Sequence, residues 1–244
     1  MIARGTTAVS SVSLPSAHGP LAALRGAGTG ATGASALLVP GYTGSKEDFA
    51  PLLDGIASEG ISPVALDLPG QHESPGPEDP AAYLPDPLGA VVAELVATLT
   101  EDGPVLLLGH SYGGLVARAA VLAGAPVAGL TLLGSGPAAL PPGPRHDALH
   151  TEPACLLGMA DGLRGEPDRT GDLAAVLRRR NLPGLVVAGQ HDDAWSVPDQ
   201  RDMARRLGTE FVTVPGSAHS PNTENPRGLL AELLPRWRGW LAGR

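Results

Sequence analysis

Residues 105–114 read VLLLGHSYGG, in which a short apolar run ends at a serine that stands between two glycines. An apolar run of this length, followed by small residues, is typical of a buried strand that gives way to a helix. A sharp turn with Ser111 at its apex needs unusual backbone angles at the serine and little bulk two positions on either side, where Gly109 and Gly113 stand. The stretch therefore predicts a strand, a tight turn and a helix that together present Ser111.

The pattern around this turn predicts the fold class. Short apolar runs of strand type alternate with segments of helical periodicity, an order typical of a mostly parallel sheet with helices on both faces. With 244 residues, the chain is long enough for one large α/β core. The predicted strands lie near residues 8–14, 21–25, 36–40, 61–66, 104–109, 127–133, 184–189 and 209–214. The predicted helices lie near residues 46–58, 87–100, 112–123, 198–207 and 224–241, the first of which begins with a capping-box pattern at Ser45 and Asp48.

Residues 135–181 interrupt this alternation. The segment begins with a run rich in proline and glycine and continues with short helical stretches near 154–163 and 172–180. Because a structureless loop of this length is uncommon inside a compact domain, we favour a small helical lid over the sheet edge, with a long loop as the alternative. The predicted organisation is a core formed by residues 1–134 and 182–244, with a lid at 135–181.

The composition disfavours several classes of partner and compartment. The net charge is -8 and the acidic residues are scattered, which argues against binding to nucleic acid or to an anionic membrane surface. Cys155 is the single cysteine and cannot form an intrachain disulfide, and the first residues lack the pattern of a secretion signal. No apolar run approaches the roughly 20 residues of a membrane span. We therefore expect a cytoplasmic protein, a monomer or homodimer, that binds a small molecule.

Two further stretches carry the groups that a nucleophilic serine needs. A serine hydroxyl is a poor nucleophile near neutral pH unless a base lies within hydrogen-bond reach and a carboxylate orients that base. The apolar run at 185–189 leads into Asp192 and Asp193, which places a carboxylate at the carboxyl end of a predicted strand. His219 lies on a loop of small residues after the last predicted strand, where its imidazole has room to reach inward.

The chain order of serine, aspartate and histidine, each on a loop after a strand, resembles that of the α/β-hydrolase superfamily. The resemblance covers nearly the whole chain and includes two further loops. Residues 39–45, VPGYTGS, resemble the family's H-G-x-x-G turn, with Pro40 in place of the histidine. Residues 67–74, DLPGQHES, are similar to its D-x-P-G-x-G-x-S loop, although positions 71–73 here read Gln-His-Glu. The implied fold is a mostly parallel eight-stranded sheet flanked by helices, with a small helical lid.

The resemblance implies a catalytic triad. Ser111 is the expected nucleophile and His219 the expected base. The family often spaces its acid as G-x-x-D after the corresponding strand, which selects Asp192, while Asp193 is kept as the alternative acid or as a residue of the pocket. A metal site built from His191 and the two aspartates is disfavoured, because adjacent ligands cannot easily converge on one ion.

The resemblance also implies that backbone donors hold the oxyanion. In the family these donors are the N–H of the residue after the nucleophile, here Tyr112, and an N–H of the early loop, here that of Tyr42. The side chains of these two tyrosines and of Trp195 are candidates either for the pocket wall or for core packing. His72 is a further pocket candidate because its loop should border the site, and His110 is expected to pack beneath the turn.

The function that this resemblance implies is a serine hydrolase that cleaves a carboxylic ester or thioester of a small or apolar acyl substrate through an acyl-enzyme, with no cofactor and no metal. Other chemistry on the same fold is the first alternative: a biosynthetic thioesterase or cyclase, a lactonase, a cofactor-free haloperoxidase or a C–C bond hydrolase. A ligand-binding protein that keeps the triad is the second alternative. The serine at position 111 argues against haloalkane dehalogenases, which carry aspartate there.

Overall fold

The computed structural model describes residues 9–28, 32–140 and 151–243. Within these residues, eight strands form one sheet. The strands are β1 (Val9–Leu14), β2 (Leu21–Gly26), β3 (Ser35–Val39), β4 (Ser62–Leu66), β5 (Val105–His110), β6 (Gly129–Leu133), β7 (Gly184–Gly189) and β8 (Glu210–Val214). Their order in the sheet is β1-β2-β4-β3-β5-β6-β7-β8. Strand β2 runs antiparallel to its neighbours β1 and β4, and the remaining neighbours pair in parallel.

Helices connect most of these strands. The described part of the chain contains the 3-10 helices Lys46–Phe49 and Pro80–Tyr83 and the helices α1 (Ala50–Ala57), α2 (Pro85–Leu99), α3 (Tyr112–Leu122), α4 (Pro153–Gly165), α5 (Thr170–Arg180), α6 (Val197–Leu207), α7 (Pro221–Glu224) and α8 (Pro226–Ala242). No helix in this part of the chain combines the length and the apolar composition that a membrane span requires.

The central strand β5 shows how both faces of the sheet are covered. Leu106 and Leu108 belong to the apolar cluster that includes side chains of α1 and α8, whereas Leu107 belongs to the cluster on the other face, formed with α2 and α3. A strand with buried side chains on both faces reads as a continuous apolar run, which is the pattern seen at residues 105–108. The predicted fold class, a mostly parallel eight-stranded sheet flanked by helices, is therefore confirmed.

Some predicted element ends are shifted. The single helix predicted at 46–58 divides into a 3-10 helix and α1, because Pro51 is favourable only in the first turn of a new α-helix. The predicted capping box at Ser45 and Asp48 is present, and in it the Ser45 N–H donates to Asp48 Oδ2 at 3.1 Å. The last predicted helix begins later than expected, at Pro226, where the preceding asparagine caps it. The short helices Pro80–Tyr83 and α7 were absent from the sequence-based prediction.

The segment 135–181 holds two helices with different surroundings. Helix α5 packs against α3 and α6, and its buried Leu173 and Leu177 join the same apolar cluster as those helices, so it covers one face of the sheet. Helix α4 instead packs against the 3-10 helix Pro80–Tyr83. Residues 141–150 of the predicted lid lie outside the described residues. The division of the chain into a core and a lid stays a prediction.

Candidate active site

The candidate site lies at the carboxyl ends of the parallel strands. Ser111 directly follows β5, Asp192 follows β7, and His219 follows β8. The loop at 40–45 follows β3, which is a neighbour of β5 in the sheet. Because the carboxyl ends of parallel strands meet at one edge, the topology brings these four segments together.

The turn at Ser111 has an unusual backbone geometry. The serine has φ 55° and ψ -121°, a conformation that residues other than glycine rarely adopt. A Cβ at Gly109 would overlap the carbonyl oxygen of Gly113, and a Cβ at Gly113 would overlap that of Pro40. The Ser111 N–H donates to the Leu133 carbonyl at 2.8 Å, which ties the apex of the turn to β6. The two glycines are therefore required by the turn.

Three side chains at this edge form a chain of hydrogen bonds. The distance between Ser111 Oγ and His219 Nε2 is 2.8 Å, and that between His219 Nδ1 and Asp192 Oδ1 is 3.0 Å. The Asp192 side chain is fully buried, whereas the His219 side chain is 26% exposed. With its Nδ1–H donated to the carboxylate, the imidazole has Nε2 available to accept the serine proton. Such an arrangement can turn a serine hydroxyl into a nucleophile.

The two adjacent aspartates occupy different environments. Asp192 Oδ1 accepts a second hydrogen bond from the Ala194 N–H at 3.0 Å, and its Oδ2 accepts one from Gln200 Nε2 at 2.8 Å. Asp193 is exposed at the surface. The structure thus brings Asp192, and not Asp193, to His219. Gln200, which the sequence-based analysis missed, is fully buried and fixes the carboxylate oxygen that His219 does not contact.

Hydrogen bonds to the backbone hold the loop that carries His219, both before and after this residue. The Glu224 carboxylate accepts hydrogen bonds from the N–H groups of Ala218 and Ser220, the second at 3.1 Å. The buried His110 contributes a third contact, because its Nε2 donates to the His219 carbonyl at 2.9 Å. Glu224 is another residue that the sequence-based analysis missed. Together these contacts fix the position from which the imidazole reaches Ser111.

His110 packs beneath the turn, as predicted, and its environment keeps it neutral. Burial, together with the nearby His219, lowers the pKa of the His110 imidazole to about 4. The two imidazole rings lie 5.2 Å apart between centroids. A neutral His110 carries one ring proton, which its hydrogen bond places on Nε2.

Replacing His110 by glutamine is expected to flatten the dependence of the free energy of unfolding on pH. The folded pKa lies below the 6.5 of an unperturbed histidine, so the unfolded chain binds the proton first. The stability that neutral His110 contributes is therefore complete above pH 6.5 and is lost as the pH falls towards 4, by roughly 3 kcal/mol. Urea unfolding of both proteins across this range measures the difference. Because glutamine keeps an N–H donor for the His219 carbonyl, parallel curves for the two proteins would contradict the prediction.

The early loop lies directly against the serine. A Cβ at Gly41 would come within 3.0 Å of Ser111 Cβ. The side-chain amide of the buried Gln71 donates from Nε2 to the carbonyls of Gly41 at 2.7 Å and of Tyr42 at 3.4 Å. The Tyr42 side chain is half-buried. Tyr112 is the first residue of α3, so its N–H belongs to the turn itself. Both backbone segments named as oxyanion donors thus flank Ser111.

The aromatic pocket candidates have separate surroundings. Trp195 is buried beside His219, with 6.2 Å between ring centroids, and its Nε1–H donates to the Ala138 carbonyl at 3.2 Å. The Tyr112 side chain instead belongs to the core: it is fully buried, and its hydroxyl donates to the Tyr83 carbonyl at 2.7 Å. The same burial raises the pKa of the Tyr112 hydroxyl. These surroundings favour core packing as the role of the Tyr112 side chain.

His72 lies on the outer side of its loop. Its Nε2 is 3.9 Å from Glu47 Oε1, and its side chain is 35% exposed. The residue has φ 44°, in the left-handed region that glycine adopts most easily. Position 72 corresponds to the second glycine of the D-x-P-G-x-G-x-S pattern, and its backbone conformation here is one that glycine adopts easily.

A cluster of acidic groups surrounds a lysine beside His72. Ligand atoms of Glu47, His72 and Glu73 lie within 4.8 Å of one another, as a metal site would require. The buried Lys46 Nζ already occupies this cluster, at 2.7 Å from Asp67, 2.6 Å from Glu73 and 3.2 Å from Glu47. Burial alone would lower the pKa of the Lys46 ammonium, but its hydrogen bonds to Asp67 and Glu73 raise it. The lysine supplies the cation that these carboxylates need.

Comparisons with known proteins agree with this architecture. A sequence model of the alpha/beta hydrolase family matches residues 36–233. No curated protein matches the chain. The matched region runs from the second residue of β3 to beyond β8 and includes the four loops that meet at the candidate site.

Solved structures with similar folds include proteins named as an esterase, a lactonase and a thioesterase domain. A thermophilic esterase from Thermogutta terrifontis has a TM-score of 0.76 at 22% identity, over 95% of this chain and 99% of that one. The N-acyl homoserine lactonase AidH, bound to N-hexanoyl homoserine, has a TM-score of 0.74 at 20% identity over 95% and 97% of the chains. A thioesterase domain from the curacin biosynthetic pathway has a TM-score of 0.74 at 16% identity over 93% and 99%. At these identities the likeness concerns the fold alone.

Proposed function

Because the chain belongs to the alpha/beta hydrolase family, we propose that it is a serine hydrolase that cleaves a carboxylic ester or thioester of a small or apolar acyl substrate. The observation that carries the proposal is the chain of two hydrogen bonds from Ser111 through His219 to Asp192, at 2.8 Å and 3.0 Å. These residues come from three separate loops. Their convergence with the correct atoms facing one another is what nucleophilic catalysis by serine requires.

In the proposed acylation step, Ser111 Oγ attacks the carbonyl carbon of the substrate while His219 Nε2 takes the hydroxyl proton. The Asp192 carboxylate keeps the Nδ1–H in place and stabilises the imidazolium that forms. His219 then gives the proton to the leaving alkoxide or thiolate, and an acyl-enzyme remains on Ser111. In the second step, His219 takes a proton from water while the water oxygen attacks the acyl carbon. The bond from that carbon to Ser111 Oγ then breaks, His219 returns the proton to Oγ, and the free acid leaves.

Negative charge on the substrate oxygen develops as the tetrahedral intermediate forms. We assign its stabilisation to the backbone N–H groups of Tyr42 and Tyr112, whose segments flank Ser111. Preorganised donors of this kind contribute strongly because they are aimed at a charge that is absent in the ground state, and the loss of one costs about 10²–10³ in rate.

The choice of an acyl bond is supported by the names of the structural neighbours. An esterase, a lactonase and a thioesterase domain all break a bond between an acyl carbon and oxygen or sulfur. We propose these properties together: the substrate is a small acyl compound, one serine is the nucleophile, and no cofactor is required. Different chemistry on the same fold, and a ligand-binding protein without turnover, are the alternatives that an experiment must separate.

A fluorophosphonate probe tests the proposal directly. Attack by Ser111 Oγ on phosphorus forms an O–P bond and expels fluoride, so the intact mass should increase by one phosphonyl group. Peptide mapping should then locate the group on Ser111, and the Ser111→Ala variant should not react. A folded wild-type protein that stays unlabelled would contradict the proposal and support a binding function. A panel of p-nitrophenyl esters and acyl thioesters then identifies the acyl class by the adduct mass trapped on Ser111.

A further inference from the structure

The structure points to Gln71 as the residue that orients one half of the proposed oxyanion hole. Its side chain is fully buried between the early loop and the segment that follows β4. The partners fix which way the amide faces. The carbonyls of Gly41 and Tyr42 can only accept, so they face Nε2, and the Leu68 N–H can only donate, so it faces Oε1 at 3.2 Å.

The important contact is the one with Gly41. The carbonyl of Gly41 and the N–H of Tyr42 belong to the same peptide unit. That unit is trans, as are all the described peptide bonds, so its C=O and N–H point in opposite directions. A donor that holds the Gly41 carbonyl at 2.7 Å therefore also sets the direction of the Tyr42 N–H. The Gly44 N–H adds a longer contact to the same carbonyl, at 3.2 Å.

We infer that Gln71 is a positioning residue, which preorganises the Tyr42 N–H for the oxyanion without touching the substrate. This inference rests on the proposed serine hydrolase function. An oxyanion donor is effective only if its direction is set before the reaction, because reorientation during the reaction would cost the free energy that the donor should supply. The buried amide of Gln71 sets this direction in advance, because it cannot exchange the Gly41 carbonyl for water as a partner.

Gln71 also contacts the segment at 151–165, which includes helix α4. Gln71 Nε2 lies 3.9 Å from the Met159 sulfur on α4, and the backbone of Gln71 forms an antiparallel bridge with Thr151. Gln71 thus lies between the early loop and the segment at 151–165. A change at this residue is expected to affect the chemical step through the loop, and substrate binding much less.

The test is a Gln71→Met variant, which keeps the length of the side chain and removes its donor. The expected result is a kcat that falls about 10–100-fold, less than the loss of a whole donor, with KM changed by less than about threefold. Glu73→Gln is the matched control: it lies on the same loop, is exposed, and should keep kcat within about twofold of wild type. Fluorophosphonate should still label Ser111 in both variants, more slowly in Gln71→Met.

A second measurement does not depend on activity. The ¹³C resonance of the Gly41 carbonyl reports its hydrogen bonds and should shift in Gln71→Met but not in Glu73→Gln. If Gln71→Met does not fold, Gln71→Glu takes its place, with kcat/KM relative to wild type rising as the pH falls, because a protonated carboxyl can donate to Gly41 and a carboxylate cannot. An unshifted Gly41 resonance, an unchanged kcat, or a raised KM with unchanged kcat would each overturn the inference. Failure of wild type to react with the probe would instead contradict the serine mechanism, whatever the Gly41 resonance does.

Discussion

Replacing Ser111 by alanine is expected to lower kcat/KM for a short-chain p-nitrophenyl ester by about 10⁴-fold or more. The substitution removes the atom that forms the acyl-enzyme and leaves the rest of the site in place. The remaining activity should come from the oxyanion donors and from substrate binding, which by themselves accelerate hydrolysis only modestly. The fold should be unaffected, because the Ser111 N–H and its contact with the Leu133 carbonyl do not depend on the side chain.

Ser135 offers a matched control for this variant. It also follows a central strand at the same edge of the sheet, is buried, and has an Oγ with no hydrogen-bond partner among the described residues. Ser135→Ala should therefore keep kcat/KM within about twofold of wild type. Initial rates for the three proteins, with circular dichroism to verify folding, measure the effect. A Ser111→Ala variant that retained full esterase activity would exclude Ser111 as the nucleophile.

The sequence predicts the fold because its elements have strong local signals. The continuous apolar run before Gly109 is typical of a strand that is buried on both faces, and the helix after Ser111 ends where Gly124 adopts φ 102°. The ends of elements are harder to predict where two signals compete. At 46–58 the capping pattern at Ser45 and the proline at position 51 both start a helix, so one predicted helix becomes two.

The residues of the candidate site differ in how far the sequence could locate them. Those that end a strand or begin a helix, such as Ser111 and Asp192, follow from the pattern of elements. Gln71, Gln200 and Glu224 do not, because each acts through a hydrogen bond whose partner comes within reach only in the folded chain. A polar residue in a helix or loop has no periodicity that would mark it as buried.

Segment 135–181 shows a second limit of sequence patterns. The periodicity of α5 indicates that one face is apolar, but it does not indicate whether that face packs on the sheet or on a substrate. In the structure Leu173 and Leu177 pack in the apolar cluster shared with α3 and α6. Helix α4 shows a comparable pattern and packs mainly on the 3-10 helix Pro80–Tyr83. The topology of the fold decides what a helix face packs against, and local periodicity carries no information about topology.

Substitution of one of the two adjacent aspartates is expected to have the second large effect on activity. Asp192→Asn is expected to lower kcat/KM at neutral pH by about 10⁴-fold. In the wild type, Oδ1 accepts from the Ala194 N–H and from His219 Nδ1, and Oδ2 accepts from Gln200 Nε2. An asparagine offers one acceptor oxygen in place of two, so one of these positions would present an NH₂ group to a donor. The neutral amide also cannot stabilise the imidazolium that forms when His219 takes the Ser111 proton.

The matched variant Asp193→Asn makes the same chemical change one residue away. Because Asp193 is exposed and Asp192 already contacts His219 Nδ1 at 3.0 Å, this variant should keep kcat/KM within about twofold of wild type. Steady-state kinetics of both variants on one ester, with the rate of fluorophosphonate labelling as a second readout, compare them. A large loss in Asp193→Asn with little loss in Asp192→Asn would assign the acid to Asp193. Comparable small losses in both would mean that neither carboxylate orients His219 for catalysis. The proposed role of Asp192 in the triad would then be wrong.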